Sequence, residues 1–152
     1  MGLSPDVDTK VKLMKSLRFF SGFSAEEMAL VAQISDFVKC NPGDIIFAEG
    51  DPATFFYIIL KGTVFIIKHN GNELERLHLA ILAGECLGEM SFISGKPRAA
   101  HAIAHDEIFL FKIDGQKLER AIITLQLKIY KKFSQMLANR LTTAARILNK
   151  QP

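Results

Sequence analysis

Gly88, Glu89 and Arg98 are the residues whose types and spacing best fit a binding chemistry. They lie in the stretch Gly84-Glu85-Cys86-Leu87-Gly88-Glu89-Met90-Ser91-Phe92-Ile93-Ser94-Gly95-Lys96-Pro97-Arg98-Ala99-Ala100. The spacing predicts about one helical turn, Glu89–Ile93, between two glycine-marked bends. The first amides of such a turn have no partner inside it and form an anion cradle. Gly88 has no side chain to hold a ligand off the backbone. Arg98 follows ten residues later, where the next strand is expected to begin, and can return a planar fork of donors to the same spot. Glu89 is ill suited to a phosphate but can accept two hydroxyl hydrogen bonds from a sugar. Ala99 and Ala100 are small, so their backbone can also approach. A cradle, a fork and a hydroxyl acceptor describe a sugar phosphate held at both ends.

Three regions of the chain must position these groups. Residues 8–35 read as helical, with Val11, Leu13, Met14, Leu17 and then Met28, Leu30, Val31, Ile34 at three- and four-residue spacings. Phe19-Phe20-Ser21-Gly22-Phe23 breaks that pattern, and Ser24 with Glu27 forms a capping box for the second helix. Residues 36–113 switch to short runs rich in Ile, Val and Phe, separated by turns at Asn41-Pro42-Gly43-Asp44, Glu49-Gly50-Asp51-Pro52, Gly62 and Asn70-Gly71-Asn72. Asn70-Gly71 predicts a hairpin between Val64–His69 and Glu73–Leu79, with both residues at positive φ. Short strands without a long intervening helix imply an antiparallel roll. Residues 114–149 return to helical spacing after Asp114, a candidate cap, as one long helix or two abutting ones. The fold class is α+β: a jelly-roll-like antiparallel β-roll with N-terminal helices, a short phosphate-binding helix and a long C-terminal helix.

The 152 residues and 49% apolar content fit a single domain over 1–152 with a real hydrophobic core. No apolar run reaches the ~18 residues of a transmembrane helix. Asp6 and Asp8 stand where a secretory signal would be apolar, and Asp6 occupies the Ser/Thr position of a myristoylation signal opening at Met1-Gly2. Cys40 and Cys86 are 46 residues apart, a reduced and cytoplasmic pattern without a disulfide framework. Residues 114–152 carry a net charge of +6 and residues 1–113 one of −3, so the basic excess belongs to the C-terminal segment. It reads as a solvated helix face, with a surface for an acidic partner or nucleic acid as the other reading. The apolar stripe Leu118, Ile122, Leu125, Ile129, Phe133, Met136, Leu137, Leu141, Ala144, Leu148 exceeds what the end of a small roll can cover. A homodimer seam along this helix is therefore expected.

Other chemistry finds little support. His101 and His105 are four apart and would share a strand face, but no acid follows at a metal-ligand spacing; with His69 and His78 they read as surface or pocket-edge residues. Ser91, Ser94 and Cys86 lack a paired base. The expectation is a non-enzymatic protein with no metal site.

The Leu87–Ala100 stretch resembles the phosphate-binding cassette of the cyclic nucleotide-binding domain family, roughly Phe-Gly-Glu-Leu-Ala-Leu, a short loop, then Pro-Arg-Ala/Ser/Thr-Ala. The likeness covers most of the chain. Leu17–Ser24 is similar to the family's helical entry, Pro42-Gly43-Asp44 and Glu49-Gly50-Asp51 to its strand turns, and Leu60-Lys61-Gly62-Thr63-Val64 to the strand pair that follows. Gly84-Glu85 precedes the cassette as in the family. Leu87 stands for the usual Phe and Ser91 for the usual Ala, both size-tolerant changes.

The resemblance implies cAMP as ligand, with cGMP the alternative; a Thr at Ala99 would accompany cGMP preference in related eukaryotic sites. Gly88 and the amides around Met90 and Ser91 would approach the cyclic phosphate and ribose. Glu89 would take the ribose 2′-hydroxyl and Arg98 the phosphate. Ala99 and Ala100 would add N–H groups and a wall, and Ile66 and Ile81 the apolar side. In the family's bacterial transcription activators, adenine meets hydroxyl residues on the long helix, where this chain has Ala144 and Ala145, with Thr142 and Thr143 just before. Those activators continue into a DNA reader. The sequence given stops at Pro152, so direct DNA binding is not expected. The implied function is sensing, signalled through the C-terminal helix to a dimer interface or protein effector. The alternatives are a ligand-free scaffold or dimerisation module, or a regulatory fragment of a larger transcription factor, channel or kinase.

Overall fold

A computed structural model describes residues 5–149, and the side chains of 75–79 are outside the description. The Met1-Gly2 reading, the His78 side chain and Pro152 therefore fall outside the described residues. The chain forms two compact units, residues 1–120 and 121–152.

The first unit opens with α1 (Val7–Met14), capped by Asp6, whose carboxylate accepts the Thr9 N–H at 2.8 Å. A short 3-10 turn (Arg18–Phe20) leads to α2 (Ala25–Gln33). Its predicted capping box is present: Ser24 Oγ accepts from Glu27 N at 3.1 Å, and Glu27 Oε1 from Ser24 N at 2.8 Å. Phe19, Phe20 and Phe23 pack edge-on or tilted against one another between the two helices. This cluster explains why an aromatic run interrupts the helical spacing.

Eight strands follow: β1 (Ser35–Cys40), β2 (Ile45–Phe47), β3 (Phe55–Lys61), β4 (Val64–Asn70), β5 (Glu73–Ile81), β6 (Cys86–Leu87), β7 (His101–Ala104) and β8 (Ile108–Asp114). They make two antiparallel four-stranded sheets, ordered β1-β8-β3-β6 and β2-β7-β4-β5. Tyr57, Ile59, Val64, Ile81, Leu87, Ile108 and Leu110 form the core between them. The alternate residues Phe56, Ile58, Phe111 and Ile113 are also buried, so the first sheet is covered on both faces. That is why Phe55–Leu60 is a continuous apolar run instead of an alternating one. Helix α3 (Glu89–Ser94) and α4 (Gly115–Glu119) pack beside β3. The roll predicted over 36–113 is present, bounded by β1 and β8.

The hairpin joining β4 and β5 corrects one expectation. Asn70 pairs with Glu73, so the two-residue loop is Gly71-Asn72. Only Gly71 has positive φ, at 68°. The turn places glycine first, which spares Asn70 the left-handed region.

The second unit is dominated by α5 (Ile123–Asn149), 27 residues and about 40 Å long. It follows α4 in the chain, so the segment is two helices and not one, and Asp114 caps α4 by accepting from Gln116 N and Lys117 N. Leu125, Ile129 and Phe133 of the predicted stripe are buried, Met136 and Leu137 half-buried, and Leu141, Ala144 and Leu148 exposed. Among the described residues, no helix is long and apolar enough to cross a membrane.

Candidate functional site

The cassette forms as a bend, a short helix and a returning loop. Gly88 has φ 80° and precedes α3 directly. A Cβ there would lie 2.7 Å from Arg98 Nη1 and 3.3 Å from the Phe47 ring. Both the left-handed backbone and the close approach require glycine. The first-turn amides, including those of Met90 and Ser91, have no intrahelical acceptor by position. Phe92 anchors α3 to β3, its ring 5.4 Å from that of Phe56. Gly115 at the start of α4 is a glycine because a Cβ would strike the Phe92 ring.

Arg98 lies three residues ahead of β7, in the loop and not at a strand start as expected. Two main-chain bonds fix it: Arg98 N donates to Asp51 O at 2.9 Å, and Gly50 N donates to Arg98 O at 2.8 Å. The Glu49-Gly50-Asp51 turn thus aligns the arginine. A bulge in the pairing of β2 with β7 lies between Ile45 and Phe47. Ile45 is exposed, whereas the Phe47 ring lies 4.3 Å from the guanidinium carbon, with Tyr57 on a second side at 5.8 Å. Such stacking replaces part of the hydration the cation has lost.

Arg98 is 3% exposed and Glu89 1%. The guanidinium reaches Gly88 as expected, where Nη1 donates to the Gly88 carbonyl at 2.7 Å. Nη2 donates to the Phe55 carbonyl. Nε is buried without a hydrogen-bond partner. Burial lowers the Arg98 pKa, and Tyr57, Asp51 and Glu89 oppose that shift. Arginine nonetheless stays charged in proteins. Burial pushes the Tyr57 phenol up, against the pull of the Arg98 cation. The arrangement is a desolvated cation with one orphaned donor, lying against the Gly88 cap of α3, with the buried Glu89 opening that helix. It suits a compact anion carrying hydroxyl groups.

The remaining predicted residues divide. Leu87, Ala100 and Ile81 are buried, Ile66 is half-buried against the same core, Ser91 is half-buried, and Met90 and Ala99 are exposed. On α5, Ala144 and Ala145 are exposed, and the Thr142 hydroxyl donates back to Ala138 O at 3.0 Å. Reading the sequence missed Phe47, Tyr57 and the Phe55 carbonyl around Arg98. A signal for the first was available: Phe47 stands just ahead of the Glu49-Gly50-Asp51 turn. Cys40 and Cys86 are both buried, and neither is in a disulfide.

The sequence profile of the cyclic nucleotide-binding domain matches residues 37–124, from within β1 into α5. The chain belongs to that family. It is 29% identical over 136 residues to the cAMP-dependent protein kinase regulatory subunit of Dictyostelium discoideum, covering 86% of this chain and 41% of that protein. The chain spans between 12% and 41% of the length of four curated relatives that it matches. A cyclic nucleotide-binding domain from Methylobacillus flagellatus superposes with TM-score 0.79 at 25% identity, covering 96% of this chain and 84% of that one. The regulatory domain of Toxoplasma gondii protein kinase A, crystallised with cAMP, gives TM-score 0.70 at 25% identity over 85% of this chain and 50% of that one. The roll with its long helix is the fold of this regulatory domain family. Within this cyclic nucleotide-binding domain, the family match contains all eight cassette residues predicted for the site, Leu87–Ser91 and Arg98–Ala100.

Proposed function

We propose that this cyclic nucleotide-binding domain senses cAMP. The observation that carries the reading is the buried Arg98, whose Nε has no partner while Gly88 and the start of α3 lie against its guanidinium. A cation this desolvated gains from an added anion, because leaving a buried charge incompletely paired costs several kcal/mol. The cyclic phosphate would take the Nε donor and the amides near Met90 and Ser91. Glu89 would accept from the ribose 2′-hydroxyl, and Ala99 and Ala100 would close the wall with main-chain groups. Ala99 has no hydroxyl to favour a guanine, which supports cAMP over cGMP.

The signal would leave through the C-terminal helix. Nucleotide would shift a population between two helix arrangements, read by a second copy of the chain or by a protein effector. The exposed Leu141, Ile147 and Leu148 support a partner on that helix. Residues 1–152 would act as one regulatory domain without catalysis, in the cytoplasm.

One observation favours a second reading. Both terminal nitrogens of Arg98 already engage carbonyls, as they would in a domain that keeps the fold as a ligand-free scaffold. Calorimetric titration of refolded protein with cAMP and, in parallel, cGMP separates the two. Micromolar or tighter binding of cAMP is expected, weaker binding of cGMP. No heat from either nucleotide overturns the sensor in favour of the scaffold.

A further inference from the structure

Away from the cassette, three side chains from three separate segments meet at one point. Glu49 comes from the turn after β2, His69 from β4, and His101 opens β7. His69 Nδ1 lies 3.1 Å from Glu49 Oε2 and 3.3 Å from His101 Nε2. The ligand atoms of all three lie within 4.8 Å of one another. The His69 amide points at the same carboxylate oxygen, at 3.4 Å, and orients it. Hydrogen bonding from His69 holds the Glu49 carboxyl below its usual range, so the group is an anion.

The spacing matches a coordination tetrahedron. With metal–ligand bonds of about 2.0–2.1 Å, neighbouring donor atoms in a tetrahedral site stand about 3.3 Å apart. Two of the three edges here already have close to that length. The contacts also compete for one proton. Glu49 N–H donates to His101 Nδ1 at 3.1 Å, so the neutral His101 ring carries its hydrogen on Nε2, facing His69 Nδ1. His69 Nδ1 cannot accept that hydrogen and also donate to Glu49. One contact is mismatched whichever tautomer His69 adopts. Once the His101 ring carries its hydrogen on Nδ1 instead, a cation bound by His69 Nδ1, Glu49 Oε2 and His101 Nε2 removes the mismatch.

We propose that Glu49, His69 and His101 form a binding site for a divalent first-row transition metal, with solvent in the remaining position. Two imidazoles and one carboxylate suit zinc, nickel or copper. Side-chain exposures of 49% for His69 and 29% for Glu49 leave an entry path. Ligation through His101 Nε2 moves that ring's hydrogen to Nδ1, which sets it against the Glu49 N–H, so metal binding breaks the Glu49 N–H···Nδ1 bond and turns the two donors apart. The proposal does not depend on nucleotide binding.

The test is titration of the nucleotide-free protein with Co2+, followed by its ligand-field absorption, and with Zn2+ in competition. One metal per chain and the intense visible absorption of a four-coordinate site are expected. E49Q, H69A and H101A should each weaken binding by roughly tenfold or more. H105A should not change it, because His105 stacks on Phe65, with ring centroids 4.3 Å apart. Zn2+ should also speed hydrogen exchange at the Glu49 amide, a readout that needs no variant. Wild-type protein that takes up no Co2+, or binding unchanged in both H69A and H101A, overturns the proposal and leaves an ordinary His–Glu ion pair.

Discussion

Lys10 and Arg98 are both long cations buried within the first unit, 7% and 3% exposed, and their surroundings differ in kind. Lys10 Nζ donates to the carbonyls of Ala32 and Ser35, at and just beyond the end of α2. The negative end of that helix dipole suits a cation, and the carbonyls there lack partners inside the helix. The lysine ties α1 to the exit of α2. Arg98 also grips two carbonyls, but it keeps an orphaned Nε, leans on two aromatic rings, and faces a glycine held at positive φ. A buried cation matched to a helix end is scaffolding. One left partly unmatched is the feature on which the proposed cAMP pose rests.

The largest effect that sharpens this contrast is Arg98→Ala, which should weaken cAMP binding by roughly 2–5 kcal/mol by removing a desolvated charge from the phosphate contact. Affinity within a factor of about two of wild type, by calorimetry, would sink the pose. Gly88→Ala comes next. Placing alanine in the left-handed region and against Arg98 Nη1 should cost about 1–3 kcal/mol of stability in urea unfolding. It should also lower nucleotide affinity, since the guanidinium must shift. Lys10→Met should cost a similar ~1–3 kcal/mol by taking the side-chain donor from the buried Ser35 carbonyl, while Ala32 O keeps the Ser35 hydroxyl, with cAMP affinity unchanged. A loss of affinity in that variant would break the comparison, because it would give the scaffold cation a share in the site. The smallest effect concerns pH. Burial raises the Tyr57 phenol above its ordinary range. The unfolded chain therefore releases this proton first, and stability should fall as pH rises above about 10. Tyr57→Phe should flatten that limb in thermal melts followed across alkaline pH.

The cassette was legible because its parts are contiguous. Gly88, Glu89 and the helical turn are neighbours in sequence, and the glycine bends at Gly88 and Gly95, with φ of 80° and 74°, fall where the residue types demand. The capping box at Ser24 and Glu27 was legible for the same reason. Arg98 was legible as a donor but not in its partners. The Phe55 carbonyl and the Phe47 and Tyr57 rings arrive from β2 and β3, with the bulge after Ile45 in the β2–β7 pairing. His101 looked like a partner for His105, four residues on. The acid and second imidazole it meets come instead from Glu49 and His69, because β4 and β7 pair in a register that sets Ile67 opposite His101.

The amino-acid order alone determined the local devices: helix caps, turn glycines, the continuous apolar run of a doubly covered strand, and the linear cassette. Each depends on interactions within a few residues, where spacing and side-chain type suffice. Only the tertiary structure decided which groups surround Arg98 and that Glu49, His69 and His101 converge. Those meetings depend on strand order and pairing register between segments 20 to 52 residues apart, and a one-residue slip would turn the strand side chains among them, Phe47, Tyr57, His69 and His101, to the opposite face.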